Sequence, residues 1–211
     1  MPDLFKKFVI RSLLLLVVVL PASAYSAPKT VLVLGDSLSA EYGLARGAGW
    51  VALLEQKLKA AKIDAAIVNA SISGETSSGG RTRLPALIRQ HRPHVVVIEL
   101  GANDGLRGLP VAAAEANLRA MIELSQQNKA KVLLIGMRMP PNYGRDYTER
   151  FAAVYGKLAK EYNTGLVPFM LDGVAEKPAL FQPDRLHPAA AAHPIILANI
   201  WPQFSKLVTT R

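Results

Sequence analysis

The alternation of short apolar runs with amphipathic segments is the feature of this sequence that most constrains its fold. Five runs have the length and composition of strands, at 30–34, 65–69, 94–99, 131–136 and 165–169. Apolar residues at helical spacing predict helices at 50–62, 82–90, 110–127 and 147–162, and a further helix from Ala189 onward. Strands that are apolar throughout are covered on both faces. The pattern therefore predicts one α/β domain, a three-layer α/β/α sandwich around a five-stranded parallel sheet.

Small polar or glycine-rich turns follow the first three predicted strands. The first strand runs into Gly35-Asp36-Ser37-Leu38-Ser39, and the later turns are 69–75 and 101–105. A further loop after the fifth strand holds Asp184-Arg-Leu-His187-Pro. Ligands of parallel sheets bind beyond the carboxyl ends of the strands, so these four segments are predicted to converge at one edge of the sheet.

The residues in these turns have complementary chemical roles. A serine hydroxyl needs a base to take its proton, and His187 is the best candidate base for Ser37. Asp184, three residues earlier, can orient the imidazole. Attack on an acyl group creates an oxyanion, for which the candidate donors are the Ser37 N–H, the Gly74 N–H and the Asn103 side-chain amide.

Each of these residues also has an ordinary structural explanation. A serine after a strand is usually a helix cap, a description that suits Ser39 as well as Ser37. Gly74 fits a turn, Asn103 fits an Asx turn, and His187 before a proline fits a cap of the last helix. Four such residues in order at strand ends favour the catalytic interpretation over four independent coincidences.

The four blocks resemble those of the SGNH, or GDSL-type, hydrolases, and within them the bacterial periplasmic acyl hydrolases. The family is named for a serine, a glycine, an asparagine and a histidine, which correspond to Ser37, Gly74, Asn103 and His187. The similarity extends to the stretches 34–40 (LGDSLSA), 68–74 (VNASISG), 83–87 (RLPAL), 103–108 (NDGLRG), 142–144 (NYG) and 157–161 (KLAKE).

The resemblance implies a flavodoxin-like SGNH fold with a Ser37, Asp184 and His187 triad and an oxyanion hole from Ser37, Gly74 and Asn103. It also implies cleavage of acyl esters, acyl thioesters and lysophospholipids, with no metal or organic cofactor. The loops at 75–79 and 138–143 are then expected to border the acyl groove. The candidate groove residues are Glu75, Thr76, Met139 and Pro140.

Three features depart from the family pattern. Ala102 stands where the family has a second glycine, the segment after His187 is rich in alanine, and Pro202 interrupts the last predicted helix. None of them removes a candidate catalytic group. The sequence contains no Gly-x-Ser-x-Gly motif, so it lacks the nucleophile elbow of the α/β-hydrolase fold.

The first 24 residues have the layout of a secretory signal peptide. A basic start is followed by an apolar run from Leu13 to Leu20 and by Ala22-Ser-Ala24. We expect cleavage after Ala24 and export to the periplasm or the medium, with 25–211 as a single hydrolase domain. A retained membrane anchor is the alternative. Since the chain has no cysteine, thiol catalysis and disulfide bonds are excluded.

The net charge of the chain is +9, of which the predicted leader accounts for +2. This charge favours peripheral contact with anionic lipid or acyl carriers, although solvated surface charge is the simpler interpretation. No nucleic-acid motif is present, and a monomer is expected. His91 and His94 form the one close histidine pair but straddle a predicted helix end and strand start, so a metal site there is not expected.

Two other functions fit parts of the pattern. A carbohydrate O-deacetylase of the same fold would need aromatic platforms near the site, for which Trp50 and Trp201 are the two tryptophans available. A non-catalytic carrier of lysolipids or fatty acids would use the same apolar groove. Such a carrier would not need Ser37, Asp184 and His187 together.

Overall fold

A computed structural model describes residues 28–210, and the predicted signal peptide lies outside this range. Five parallel strands form one sheet in the order β2-β1-β3-β4-β5. The strands are β1 (Lys29–Gly35), β2 (Ala65–Asn69), β3 (Val95–Glu99), β4 (Lys131–Ile135) and β5 (Gly165–Val167). The predicted α/β architecture with a five-stranded parallel sheet is therefore confirmed.

Helices cover both faces of the sheet. They are α1 (Trp50–Ala60), α2 (Ser77–His91), α3 (Ala102–Leu106), α4 (Val111–Gln127), α5 (Arg145–Tyr162) and α6 (His193–Thr209). On one face α1 packs against α6, and on the other α4 packs between α2 and α5. Single 3-10 turns occur at Pro141–Tyr143, Pro178–Leu180 and Ala190–Ala192.

The central strand β3 explains why the sheet is so apolar. All five of its residues are buried, because helices pack above and below it and strands flank it on both sides. The edge strand β2 is only partly covered, and none of its residues is fully buried. Coverage of both faces, predicted for strands that are apolar throughout, is therefore complete at β3 and only partial at β2.

Two helices differ from the prediction. Helix α2 begins at Ser77, five residues earlier than predicted, because the Thr76 hydroxyl caps it by accepting a hydrogen bond from the Gly79 N–H at 3.3 Å. Helix α3 was not predicted, since five residues of mixed polarity give no periodic signal. Consequently Asn103 lies on a short helix after β3 and not in an open turn.

The last helix accommodates both of its prolines. Pro194 lies in its first turn, where a missing N–H is tolerated, and Pro202 lies inside the helix. Within residues 28–210, none of the helices has the length and apolar character needed to cross a bilayer.

Candidate active site

The Ser37 turn begins where β1 leaves the core. The N–H groups of Ser39 and Ala40 donate to the Asp36 carbonyl at 3.2 and 3.0 Å, which closes a tight helical turn around Ser37. Asp36 is fully buried and Ser37 is half-buried. The turn therefore presents the Ser37 hydroxyl at the carboxyl edge of the sheet, and the hydrogen bonds to the Asp36 carbonyl hold its backbone.

The structure brings His187 and Asp184 to the Ser37 hydroxyl. His187 Nε2 lies 2.9 Å from Ser37 Oγ, and His187 Nδ1 lies 2.7 Å from Asp184 Oδ2. Asp184 Oδ1 also accepts hydrogen bonds from the N–H groups of Leu186 and His187, at 2.9 and 3.0 Å. The three side chains thus form a continuous hydrogen-bonded relay, although Ser37 and His187 are 150 residues apart in the sequence.

The loop that carries His187 is closed by Gln182. The Gln182 N–H donates to the His187 carbonyl at 2.8 Å, and its side-chain amide donates to the carbonyls of Tyr42 and Pro188. The Tyr42 ring lies against the imidazole, with ring centroids 4.3 Å apart and planes inclined by 38°. Sequence reasoning missed both Gln182 and Tyr42, because neither belongs to a recognisable motif.

Asp184 remains ionised at neutral and mildly acidic pH. Its hydrogen bonds from the His187 N–H, the Leu186 N–H and the imidazole hold the pKa of this carboxyl at about 2, below its usual range. An ionised Asp184 accepts the proton on Nδ1. That arrangement leaves the Nε2 lone pair facing Ser37, which is the tautomer a general base requires.

Two backbone N–H groups face the cleft near Ser37. Within residues 28–210, neither the Ser37 N–H nor the Gly74 N–H donates to a protein acceptor, and both residues line the cleft. Gly74 has φ +79°, a conformation that side chains rarely adopt, although an added Cβ would meet no atom within 4 Å. The glycine is therefore favoured by the backbone conformation and not by a lack of space for a side chain.

Asn103 is placed beside these N–H groups, but its amide is already engaged. Its Nδ2 donates to Asp36 Oδ2 at 3.1 Å and to the Glu75 carbonyl at 2.9 Å. These two bonds use both amide hydrogens. To donate to an oxyanion, Asn103 must share or release one of them when a substrate binds, a change consistent with hydrogen bonds that tighten only in the reacting complex.

The loop bearing Gly74 is fixed by two arginines. Arg107 donates to the Gly74 carbonyl at 3.0 Å, and Arg83 donates to the Ala70 carbonyl and to the Glu75 carboxylate. Glu75 and Thr76, predicted for the groove, are not among the residues that line the cleft: Glu75 pairs with Arg83, and Thr76 caps α2.

Ser39 and Trp50 support the turn from the interior. Ser39 is 1% exposed and donates to Glu99 Oε2 at 2.7 Å, while its oxygen accepts a hydrogen bond from Trp50 Nε1 at 3.2 Å. Ser39 is therefore not a helix cap. Trp50, a fully buried side chain at the start of α1, holds this hydroxyl in place.

Two buried carboxyl groups complete the electrostatics of the site. Burial raises the pKa of Asp36 to about 6. Burial, reinforced by the neighbouring Asp36, raises the pKa of Glu99 well above its usual range. Sequence reasoning missed this pair, because Glu99 ends an otherwise apolar strand and matches no motif.

A cleft of about 1310 Å³ extends from the triad. Met139 and Pro140, both predicted for the groove, line it, and so does Ala102. Most of its surface away from the triad is apolar and comes from Leu106, Met137, Phe169, Leu171, Ala175, Pro178, Ala179, Phe181 and Leu186. Two exposed arginines, Arg138 and Arg185, also line it.

The described residues hold no cluster of three metal-ligating side chains. His94 instead accepts a hydrogen bond from the Thr30 N–H through Nδ1 at 3.1 Å. This contact ties the start of β3 to β1, which is the structural role expected for a histidine at a strand start.

Comparison with known proteins gives consistent matches. The GDSL-like lipase/acylhydrolase family matches residues 33–195. Esterase TesA of Pseudomonas aeruginosa is 50% identical over 183 residues, which cover 87% of this chain and 91% of that protein. Thioesterase 1/protease 1/lysophospholipase L1 of Escherichia coli K12 is 45% identical over 183 residues, covering 87% and 86%. A crystal structure of TesA superposes with a TM-score of 0.83 at 50% identity, covering 85% of this chain and 99% of that chain.

Proposed function

The chain belongs to the GDSL-like lipase/acylhydrolase family and is a serine ester hydrolase, and on this premise we propose that Ser37, His187 and Asp184 form its catalytic triad. The observation that carries the proposal is the relay from Ser37 Oγ to His187 Nε2, at 2.9 Å, and on to Asp184. This relay opens onto an apolar cleft large enough for an acyl chain.

In the proposed mechanism, Ser37 Oγ attacks the acyl carbon while His187 Nε2 takes the hydroxyl proton. The oxyanion accepts hydrogen bonds from the Ser37 and Gly74 N–H groups, with Asn103 joining by releasing a present partner. His187 then gives its proton to the departing alcohol or thiol. Water attacks the acyl-enzyme, His187 takes a proton from it, and the proton returns to Ser37 as the acid leaves.

We propose acyl esters, acyl thioesters and lysophospholipids as substrates. The apolar wall of the cleft supports an acyl chain, and the two relatives named above are called an esterase and a thioesterase/lysophospholipase. Arg138 and Arg185 at the cleft support a phosphate-bearing leaving group, because guanidinium groups pair with phosphate oxygens.

The substrate proposal is tested by comparing charged and neutral substrates. In the double variant R138A/R185A we expect a KM for lysophosphatidylcholine and acyl-CoA raised about tenfold, with the KM for p-nitrophenyl butyrate unchanged. A variant at an exposed arginine that does not line the cleft, R145A, serves as the control. An equal rise for the neutral ester would contradict a role in phosphate binding.

The nucleophile is tested with a covalent probe. The wild-type protein is expected to hydrolyse p-nitrophenyl acyl esters and to form an adduct with a fluorophosphonate, and S37A should lose both while keeping its fold. S78A, at an exposed serine on α2, is the matched control and should keep both activities. Full activity of S37A would refute the mechanism.

The apolar cleft favours hydrolysis of esters with longer acyl chains over both alternatives. Trp50 is fully buried and Trp201 lies on α6 against Phe204, so neither supplies an aromatic platform in the cleft for a carbohydrate. A carrier of lysolipids would not need the hydrogen-bonded relay behind Ser37. Stoichiometric binding of lysolipid without turnover would support the carrier instead.

We also propose that the chain is exported and that its leader is cleaved after Ala24, leaving 25–211 as one monomeric domain. N-terminal sequencing of the protein from the periplasm and the medium tests this, with Tyr25 expected first. Light scattering of the purified protein tests the monomer.

Peripheral contact with anionic lipid is supported by exposed apolar side chains next to the arginines of the cleft. Tyr42 and Leu186 line the cleft and are 49% and 44% exposed. We expect the protein to sediment with phosphatidylglycerol vesicles at low salt and to be released at high salt, since the attraction is screened. Equal binding to phosphatidylcholine vesicles would contradict it.

A further inference from the structure

Two carboxyl groups lie in contact beneath the Ser37 turn. Glu99 ends β3 and is 2% exposed, and Asp36 follows β1 and is fully buried. Gly35 pairs with Glu99 in the sheet, so the Glu99 side chain rises directly under the turn. Among the described residues, neither acid forms a salt bridge with a lysine or arginine.

The Glu99 carboxyl holds the turn from below. Its Oε2 accepts hydrogen bonds from the Asp36 N–H at 3.3 Å and from the Ser39 hydroxyl at 2.7 Å. The same oxygen lies 2.8 Å from the position of a Cβ on Gly35, so a side chain at Gly35 would displace the carboxyl. The fit between Gly35 and Glu99 therefore brings the acid against the backbone of the turn.

The Asp36 carboxyl connects the turn to Asn103. Its Oδ1 accepts a hydrogen bond from the Leu38 N–H at 3.0 Å, and its Oδ2 accepts one from Asn103 Nδ2 at 3.1 Å. The Asp36 N–H bonds to the Glu99 carboxyl, so the two acids are direct neighbours. A shift of Asp36 would thus move both the nucleophile turn and the amide next to the oxyanion position.

Two acids in contact inside the protein hold one proton between them, because two buried charges of the same sign repel strongly. The hydrogen bonds around the pair indicate where the negative charge resides. Both carboxyl oxygens of Asp36 accept N–H groups, from the Leu38 backbone and the Asn103 side chain. Among the described residues, the donors to Glu99 use its Oε2 alone, which leaves Oε1 free to carry a proton. The charge therefore belongs on Asp36 and the proton on Glu99.

We propose that Glu99 is a positioning residue that stays protonated while the enzyme works and donates its proton to Asp36. The Asp36 carboxylate is thereby held where it fixes both the Ser37 turn and the Asn103 amide. This inference rests on the proposed function of the site and adds a residue that touches neither substrate nor reacting atoms.

Substitutions at Glu99 separate a neutral hydrogen-bonding role from a role for negative charge. E99A removes the support, and kcat for p-nitrophenyl butyrate is expected to fall about 10²-fold with KM changed less than about twofold. E99Q keeps a donor for Asp36 and an acceptor for Ser39, and is expected to restore kcat to within about threefold of wild type. E149Q, at an exposed glutamate of α5, controls for a generic Glu-to-Gln effect.

Two kinetic outcomes would overturn the proposal. If E99Q loses as much kcat as E99A, the site needs an ionised Glu99 and not a protonated one. If E99A keeps the wild-type kcat, Glu99 positions nothing. Both comparisons are made relative to the wild-type enzyme, so a wild-type protein that hydrolyses no ester would instead refute the proposed function.

Infrared spectroscopy gives a readout independent of activity and of the folding of E99A. At neutral pH the wild-type protein should show the C=O stretch of a protonated carboxylic acid, and this band should be absent from E99Q. It should persist in S37A, because the nucleophile does not carry this proton. The absence of a band lost in E99Q would overturn the proposal even if the kinetics were as expected.

Discussion

Asp184→Asn separates the charge of Asp184 from its shape. An asparagine can keep its carbonyl oxygen on the N–H groups of Leu186 and His187, which Asp184 Oδ1 contacts at 2.9 and 3.0 Å. Its amide group then faces His187 Nδ1, where the carboxylate oxygen lies at 2.7 Å. The amide donates to Nδ1, which forces the ring into the tautomer with a proton on Nε2. That tautomer cannot accept the proton of Ser37.

The size of the expected loss in kcat follows from the solvent exposure of Asp184 and His187. The Asp184 side chain is 41% exposed and the His187 side chain 16%, so their interaction lies between the limits of bulk water and a protein surface. At about 4 Å these limits are ~1 and ~4 kcal/mol. Loss of the charge alone therefore lowers kcat by about fivefold to 10³-fold, since ~1.4 kcal/mol corresponds to tenfold.

In D184N the tautomer with a proton on Nε2 adds to this loss. In D184A no amide donates to Nδ1, so the imidazole can still adopt the tautomer with a free Nε2. We therefore expect about 10²-fold to 10⁴-fold lower kcat for D184N, and a smaller loss for D184A, with KM nearly unchanged in both.

The assay is hydrolysis of p-nitrophenyl butyrate, together with the rate of labelling by a fluorophosphonate. D172N, at an exposed aspartate outside the cleft, is the control for loss of one carboxylate. If D184N stays within about tenfold of wild type, or exceeds D184A, the orienting role assigned to Asp184 is refuted.

Two further predictions follow from the site. First, G74A should fold but lose about 10²-fold to 10³-fold in kcat, because alanine disfavours φ +79° and displaces the N–H. G47A, at another glycine of positive φ with room for a Cβ, should keep wild-type kcat, and equal losses in both variants would contradict the oxyanion role. Second, the folded-state pKa of Asp36, about 6, exceeds the ordinary value of 3.8, so the folded protein binds this proton more tightly than the unfolded chain. The free energy of unfolding of the wild type, measured in urea relative to D36N, should therefore fall as the pH rises from about 4 to 6. A difference that stays constant with pH would disprove this linkage.

Much of the architecture was predictable because it depends on local patterns. The apolar run that forms β3 has no polar residue before Glu99, and such a run can be buried only between two helical layers. Once the strands are parallel, the turns after Gly35, Asn69 and Glu99 must emerge at the same edge. The candidate positions of Ser37, Gly74 and Asn103 follow from this edge and from the family resemblance.

The boundaries of the short elements were not predictable to the same degree. Helix α3 has too few residues for a helical period to be recognised, so Asn103 was expected in an open turn. The early start of α2 depends on a single cap, the Thr76 hydroxyl. The bounds of these helices depend on one or two hydrogen bonds, which do not alter the apolar pattern of the sequence.

The sequence by itself thus determined the layers, the sheet edge and the identity of the residues that can do the chemistry, because periodicity and residue type act locally. Only the tertiary structure decided how those residues are oriented. It placed the Tyr42 ring on His187, engaged both amide hydrogens of Asn103, and brought Glu99 against Asp36 without a cation. The physical reason is that the protonation and orientation of a buried polar group depend on neighbours remote in sequence, which no local pattern specifies.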